Sequence, residues 1–244
     1  MKTDFFFKRI HSLTGLGLVL FLLMHLWTNS QVAWTIWWGS DGFEKSVNAL
    51  NALPFLRVLE IGFLAVPLVV HGYFGWRGSV LPHYSVLKSI GGEPSLGDLP
   101  SNRLYTWQRW SGLILMVLII WHVLEMRLWH RPVPIPSNVV EADTWYLVQL
   151  KEQGERVVSS LGKGVFLVLQ ETFKNIWISL LYTSFVVIAS YHAARGVFTA
   201  GISWGILVFP LQRKRGWFWS KILFVVLVCL GMVPIWSIYL SESM

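Results

Sequence analysis

The stretch LTGLGLVLFLLMHLWTNSQVAWTIWW, residues 13–38, runs for 26 residues without Asp, Glu, Lys or Arg and closes on the cluster Trp34, Trp37 and Trp38. About 20 apolar residues in a helix suffice to cross a bilayer core about 30 Å thick, and tryptophans gather where the chain leaves it. Extended back to residue 11, this is a complete membrane span with its interfacial belt. Four further nearly charge-free stretches follow at 51–76, 104–128, 175–199 and 217–240. An open strand cannot satisfy its backbone in lipid, so all five are expected to be helices. The expected fold is all-α and polytopic, one domain spanning 1–244.

The composition agrees. Apolar residues make up 54% and charged residues 14% of the 244, against roughly 25% charged in soluble domains, which excludes a soluble globular protein. The net charge of +7 records topology in such a chain, not affinity for nucleic acid. Cys229 is the one cysteine and lies in an apolar run, so it builds neither a disulfide framework nor a thiolate metal site. The basic start lacks a small-residue cleavage site after a short apolar core, so the first span is expected to be retained.

Orientation follows from Lys and Arg. With the N-terminus in the cytoplasm, that side carries twelve of the twenty, among them Lys8, Arg9, Arg77, Lys88, Arg103, Arg109, Arg195 and Arg213 to Arg215. Five of the other eight lie in one long outer loop, 129–174, whose charges weigh little in orienting the chain. The expected topology is N-terminus in, C-terminus out. Within that loop, three prolines precede a stretch from Glu141 to Phe173 with apolar residues at helical spacing, expected as an interfacial amphipathic helix.

His25, His71, His122 and His192 each fall in a different one of the first four spans. Polar groups at this depth are costly and face the bundle interior. His25 is 16 residues from Arg9, His122 is 13 from Arg109, His71 is 6 from Arg77 and His192 is 3 from Arg195. At about 1.5 Å per residue the depths are ~24, ~20, ~9 and ~5 Å, two deep and two shallow. Two layers result, each with two imidazoles from two helices. Zinc would want a third protein ligand. A b-type haem needs two axial imidazoles, which close the iron to substrate and leave it to electron transfer. The expectation is therefore five helices around two stacked b-type haems. Gly75 and Gly196 each stand four residues after a shallow histidine, on its helix face, where porphyrin needs room. His11, Ser12, Tyr105, Gln108, Arg109 and Arg195 are available at the cytoplasmic end for anionic propionates.

Arg9-Ile10-His11-Ser12 before His25, Arg109-Trp110-Ser111-Gly112 before His122-Val123-Leu124-Glu125-Met126-Arg127, and His192-Ala193-Ala194-Arg195-Gly196 before Trp204-Gly205 together resemble one family. It is the dihaem cytochrome b membrane anchor of succinate:quinone oxidoreductases, in the single-chain form of bacterial enzymes that use menaquinone. The resemblance implies that His71 and His192 bind a proximal haem, nearer the cytoplasmic iron–sulfur subunit, and His25 and His122 a distal one. It places His11, Ser12 and Tyr105 near the proximal propionates. It implies a flavoprotein subunit holding the succinate site, a bacterial cytoplasmic-membrane location, and a complex able to form a higher oligomer.

Quinone chemistry is expected on the outer side. Glu125 and Arg127 follow His122, Asp41, Glu44 and Glu60 precede or open the second span, and Trp34, Trp37 and Trp38 offer aromatic walls. Glu44, Glu60, Glu125 and Arg127 are the candidate quinone-site residues. Three readings stay open beside a succinate dehydrogenase anchor: a fumarate reductase anchor running in reverse, a hydrogenase or formate dehydrogenase cytochrome b, and a transporter relaying protons through histidine and the Arg57–Glu60 pair.

Overall fold

The computed structural model of the chain describes residues 2–80, 100–126 and 161–242, and the regular structure among them is helical throughout. Helix α1 is Lys2–Trp38, α2 Gly42–Asn51, α3 Leu56–Leu59 and α4 Val66–Val80, with a π-helical turn at Glu60–Ala65 joining the last two. Then come α5 Pro100–Leu124, α6 Leu161–Phe173, α7 Ile176–Ser203 and α8 Pro210–Glu242. Five stretches among them are long and apolar enough to cross a membrane: Phe6–Trp38, Leu56–Gly78, Arg103–Leu124, Ile176–Ser203 and Pro210–Ser241. The protein is an all-α polytopic membrane protein.

Leu20, Phe63, Val69 and Val117 are each more than half exposed, as a surface turned to lipid tails allows, while Ser111, Ser179, Ser190, Ala194 and Ser220 are buried, as are Phe43, Leu227 and Ile238. In membrane helices small residues let backbones approach, and hydroxyls bond across helices. Ser220 illustrates the second use, its Oγ donating to the Ala194 carbonyl at 2.8 Å.

The chain divides into two compact units, each drawing on parts of the same long helices. The first comprises Met1–Leu23, Arg57–Leu118 and Val187–Val228. The second comprises Met24–Leu56, Ile119–Val186 and Cys229–Met244. In the first, the turn after α7 is fixed at Gly205, whose φ of 75° suits glycine. Gln212 Oε1 accepts from the Val208 and Phe209 amides, both at 3.0 Å, and so satisfies backbone donors at the start of α8. The second unit holds an apolar core of Val32, Phe43, Phe166, Leu169, Phe173, Tyr182, Ile235 and Ile238.

Three features differ from the sequence reading. The second span starts at Leu56 rather than 51, because Asn51 ends α2 and Phe55, next after Pro54, takes a left-handed φ of 59°. Helix α2 has no counterpart among the five expected spans. It is seated through α6: Gly162 lies against the Glu44 backbone, where a Cβ would come within 2.5 Å, and its amide donates to Asn48 Oδ1 at 2.8 Å. Finally, the expected interfacial helix at Glu141–Phe173 is described only as α6. That helix buries Gly162, Phe166, Leu169 and Phe173, one face at helical spacing, against protein and not lipid. The rest of loop 129–174 lies outside the described residues, as do Lys88 and Arg127.

Candidate functional site

In the first unit, α4 carries His71 and α7 carries His192, and their ring centres stand 6.2 Å apart with planes at 89°. Both rings are held by their Nδ1 atoms. His71 Nδ1 lies 3.0 Å from the His11 carbonyl oxygen. His192 Nδ1 lies 3.2 Å from the Gln108 carbonyl oxygen and 3.1 Å from Ser111 Oγ. A carbonyl can only accept, so Nδ1 carries the proton in each ring and Nε2 keeps its lone pair. That is the tautomer of a metal-ligating histidine steadied through its other nitrogen. Gln108 completes the hold, its Nε2 donating to the His192 carbonyl at 3.0 Å.

Two glycines give these rings their place. A Cβ on Gly15 would come within 2.7 Å of His71 Cε1, and one on Gly112 within 2.9 Å of His192 Cε1. The imidazoles therefore lie on bare backbone of α1 and α5, helices other than their own. At Gly75 and Gly196, expected to make room for porphyrin beside the histidines, a Cβ would meet His11 Cε1 at 3.5 Å and Gln108 Nε2 at 3.7 Å, ordinary contacts with protein. His11 stacks on His71 with centres 4.1 Å apart and planes 9° from parallel.

In the second unit, α1 carries His25 and α5 carries His122, again 6.2 Å between ring centres, with planes at 74°. His122 Nδ1 stands 3.1 Å from the Tyr182 hydroxyl, which donates to Glu125 Oε2 at 2.7 Å. Tyr182 and Glu125 are both buried. Asn29 Nδ2 donates to the His25 carbonyl at 2.8 Å and stands 3.5 Å from His25 Nε2. Phe185 meets the His122 ring edge-on at 5.7 Å.

Each pair suits a bis-imidazole iron. Two metal–nitrogen bonds of about 2 Å, plus roughly 1 Å from each nitrogen to its ring centre, sum to about 6 Å. Among the described residues, no group of three or more His, Cys, Asp or Glu could hold an ion. Around the first pair, His11 Nδ1 and Gln108 Oε1 are buried with no hydrogen-bond partner among the described residues, and buried polar atoms left so are costly. The Arg195 guanidinium lies over the Phe198 and Trp217 rings at 5.0 and 4.5 Å, with its buried Nε–H a donor suited to an anionic group. The residues present fit b-type haem.

The remaining expected site residues are placed as follows. Trp204 Nε1 donates to Ser12 Oγ at 3.0 Å, and the Arg9 guanidinium lies 4.4 Å from the Trp204 ring centre. Arg109 lies over the Tyr105 ring at 5.2 Å and donates to the Gly78 carbonyl. Glu44 pairs with Lys163 at 3.4 Å, and Glu60 opens the π-helical turn. Glu44 and Glu125 belong to the second unit and Glu60 to the first. Asp41 is exposed and bonded to Lys45 at 2.7 Å, and that hydrogen bond holds its carboxyl below the usual carboxylate range. Sequence reasoning missed Tyr182 and the roles of Gly15 and Gly112. A signal was there: Gly15, Gly112 and Tyr182 each stand ten residues before a span histidine, an offset at which one helix contributes to both units.

No family model and no solved structure matches the chain. It is 26% identical over 235 residues to the succinate dehydrogenase cytochrome b558 subunit of Bacillus subtilis (strain 168), a match covering 96% of each chain. That likeness runs over nearly the whole of both chains and is to a protein named as a succinate dehydrogenase cytochrome b subunit.

Proposed function

We propose that the chain is the membrane-anchor and electron-transfer subunit of a succinate dehydrogenase, joined to an iron–sulfur and a flavoprotein subunit in a bacterial cytoplasmic membrane. The observation that carries this reading is the two facing histidine pairs drawn from four different spans. Bound there, b-type haems supply one-electron transfer between an iron–sulfur partner and a quinone, menaquinone in the form the sequence resembles. His71 and His192 would hold one such group and His25 and His122 the other. Arg195, His11, Ser12, Tyr105 and Arg109 supply donors and charge for propionates. A reduced-minus-oxidised spectrum of purified protein should give low-spin b-type bands at about two haems per chain. A colourless protein would end this reading, and copurification of hydrogenase or formate dehydrogenase subunits would redirect it. A complex working physiologically toward fumarate reduction would use the same residues.

The partner subunits should dock on the face bearing Lys88, Arg103 and Arg213 to Arg215, the side the positive-inside rule assigns to the cytoplasm. Arg213 lies at the start of α8, its Nε donating to the Leu207 carbonyl at 3.2 Å. In an Arg213→Cys variant, an impermeant thiol reagent should label only from the cytoplasmic side. Labelling from outside intact cells would reverse both the topology and the docking face.

Quinone protonation falls to acids and bases on the outer side of the membrane, with Glu44, Glu60, Glu125 and Arg127 as candidates. General acid–base groups contribute roughly 100-fold or more, so at least one of Glu44→Gln, Glu60→Gln, Glu125→Gln and Arg127→Gln should slow quinone turnover about tenfold or more with both haems retained. Normal rates in all four, with a block in Ser12→Ala or Arg109→Gln, would move the quinone to the cytoplasmic end.

A further inference from the structure

The second histidine pair has an asymmetry that ligation alone does not require. Beside the His25 ring stands an amide, Asn29 Nδ2 at 3.5 Å from Nε2. His122 is linked through the Tyr182 hydroxyl, 3.1 Å from Nδ1, to the carboxylate of Glu125 at 2.7 Å. Both relay residues are nearly inaccessible, Tyr182 at 6% and Glu125 at 9% exposure. A carboxyl group in the interior of a membrane protein is expensive, and ones that stay there mark function. Tyr182 also packs against Trp121 at 5.1 Å and Phe173 at 5.1 Å, which fixes the direction of its hydroxyl.

We propose that Tyr182 and Glu125 are positioning residues that set the reduction potential of the iron bound by His122. The inference rests on the haem reading above. The tyrosine has one hydrogen, and it goes to Glu125. Its oxygen is then left to accept from His122 Nδ1–H, so Nε2 is the ligating nitrogen. Acceptance of that hydrogen by an oxygen polarised toward a carboxylate makes the imidazole a stronger donor, and a more basic axial ligand favours the oxidised metal. No proton leaves the chain His122, Tyr182, Glu125 in this role. The first pair differs: His71 and His192 are held by backbone carbonyls and a serine, neutral groups. The relay therefore separates the potentials of the two haems, lowering the one at His25 and His122 relative to an otherwise equal site.

The test is a redox titration of the purified, haem-loaded protein, following the two b-type components optically. Tyr182→Phe keeps the ring and its packing but removes the acceptor. One component should rise in potential by about 59 mV, a tenfold shift of a one-electron equilibrium, while the other stays in place. Glu125→Gln retains an oxygen to accept from Tyr182 but no charge, and should give a smaller rise in the same component. Unchanged potentials in both variants with both haems present would overturn the proposal, as would equal displacement of both components. Should Tyr182→Phe fail to accumulate, Glu125→Gln alone decides by the same reading. Wild-type protein without b-type bands would instead sink the haem reading and the inference with it, a distinct result.

Discussion

Replacing His71 or His192 by alanine is expected to remove one and the same b-type haem, and replacing His25 or His122 the other. Each substitution should delete about half of the reduced-minus-oxidised b-type absorbance, because a site built from two ligands has nothing left to close an iron once one is gone. The grouping is what the geometry dictates: ring centres stand 6.2 Å apart within each pair. Double variants make the stronger statement. His71→Ala with His192→Ala should look like either single variant, whereas His71→Ala with His25→Ala should be colourless. If His25→Ala and His71→Ala erased the same spectral component, the pairing would be wrong.

The next largest effect should come from residues with no chemistry of their own. Gly15→Val and Gly112→Val place a branched side chain where even a single carbon would come within 2.7 Å of the His71 ring or 2.9 Å of the His192 ring. Neither ring can retreat freely, since each is anchored by Nδ1 to a backbone carbonyl. Overpacking of this kind costs about 1–3 kcal/mol, and here the strain falls on a residue proposed to hold the haem. Both variants should lose most of the haem assigned to His71 and His192 and keep the other. Gly75→Ala and Gly196→Ala, with nearest contacts of 3.5 and 3.7 Å, should keep both. Retention in Gly15→Val together with loss in Gly75→Ala would assign the tight face to the wrong helices.

That contrast also shows what the sequence could carry. Charge-free length exposed the five spans, and a histidine in each of the first four exposed the ligand candidates, because both signals are local to one helix. The residue four positions on from a histidine is equally local, which is why Gly75 and Gly196 stood out. Gly15 and Gly112 act on histidines 56 and 80 residues away in the chain; their own helices show only that each stands ten residues before a histidine, not which distant ring it meets. Tyr182 was hidden for the same reason: in a span rich in aromatics its ring reads as packing, and only its neighbours Glu125 and His122 make its hydroxyl matter. Helix α2 escaped because at ten residues it is too short to register as a span, and its partner α6 lies far along the chain. In α6 the apolar spacing marks a helix, and its buried face packs on protein, since periodicity says that one side is buried and not against what.

The division of ligands among helices also sets an order of events during synthesis. His25 and His122 lie on the first and third spans, so that pair is complete in sequence before the fourth span has been made. His71 must wait for His192, on the fourth. Since chains emerge and fold from the N-terminus, the site at His25 and His122 is the first that could be filled, and for a time its His122 ring is without Tyr182, which arrives with the fourth span. On the proposed ligation, the nascent chain thus passes through a stage in which one centre has both of its histidines but lacks its hydrogen-bonded support, and the other has one of its two. Insertion of the fourth span resolves both deficits at once, through two residues ten positions apart on α7.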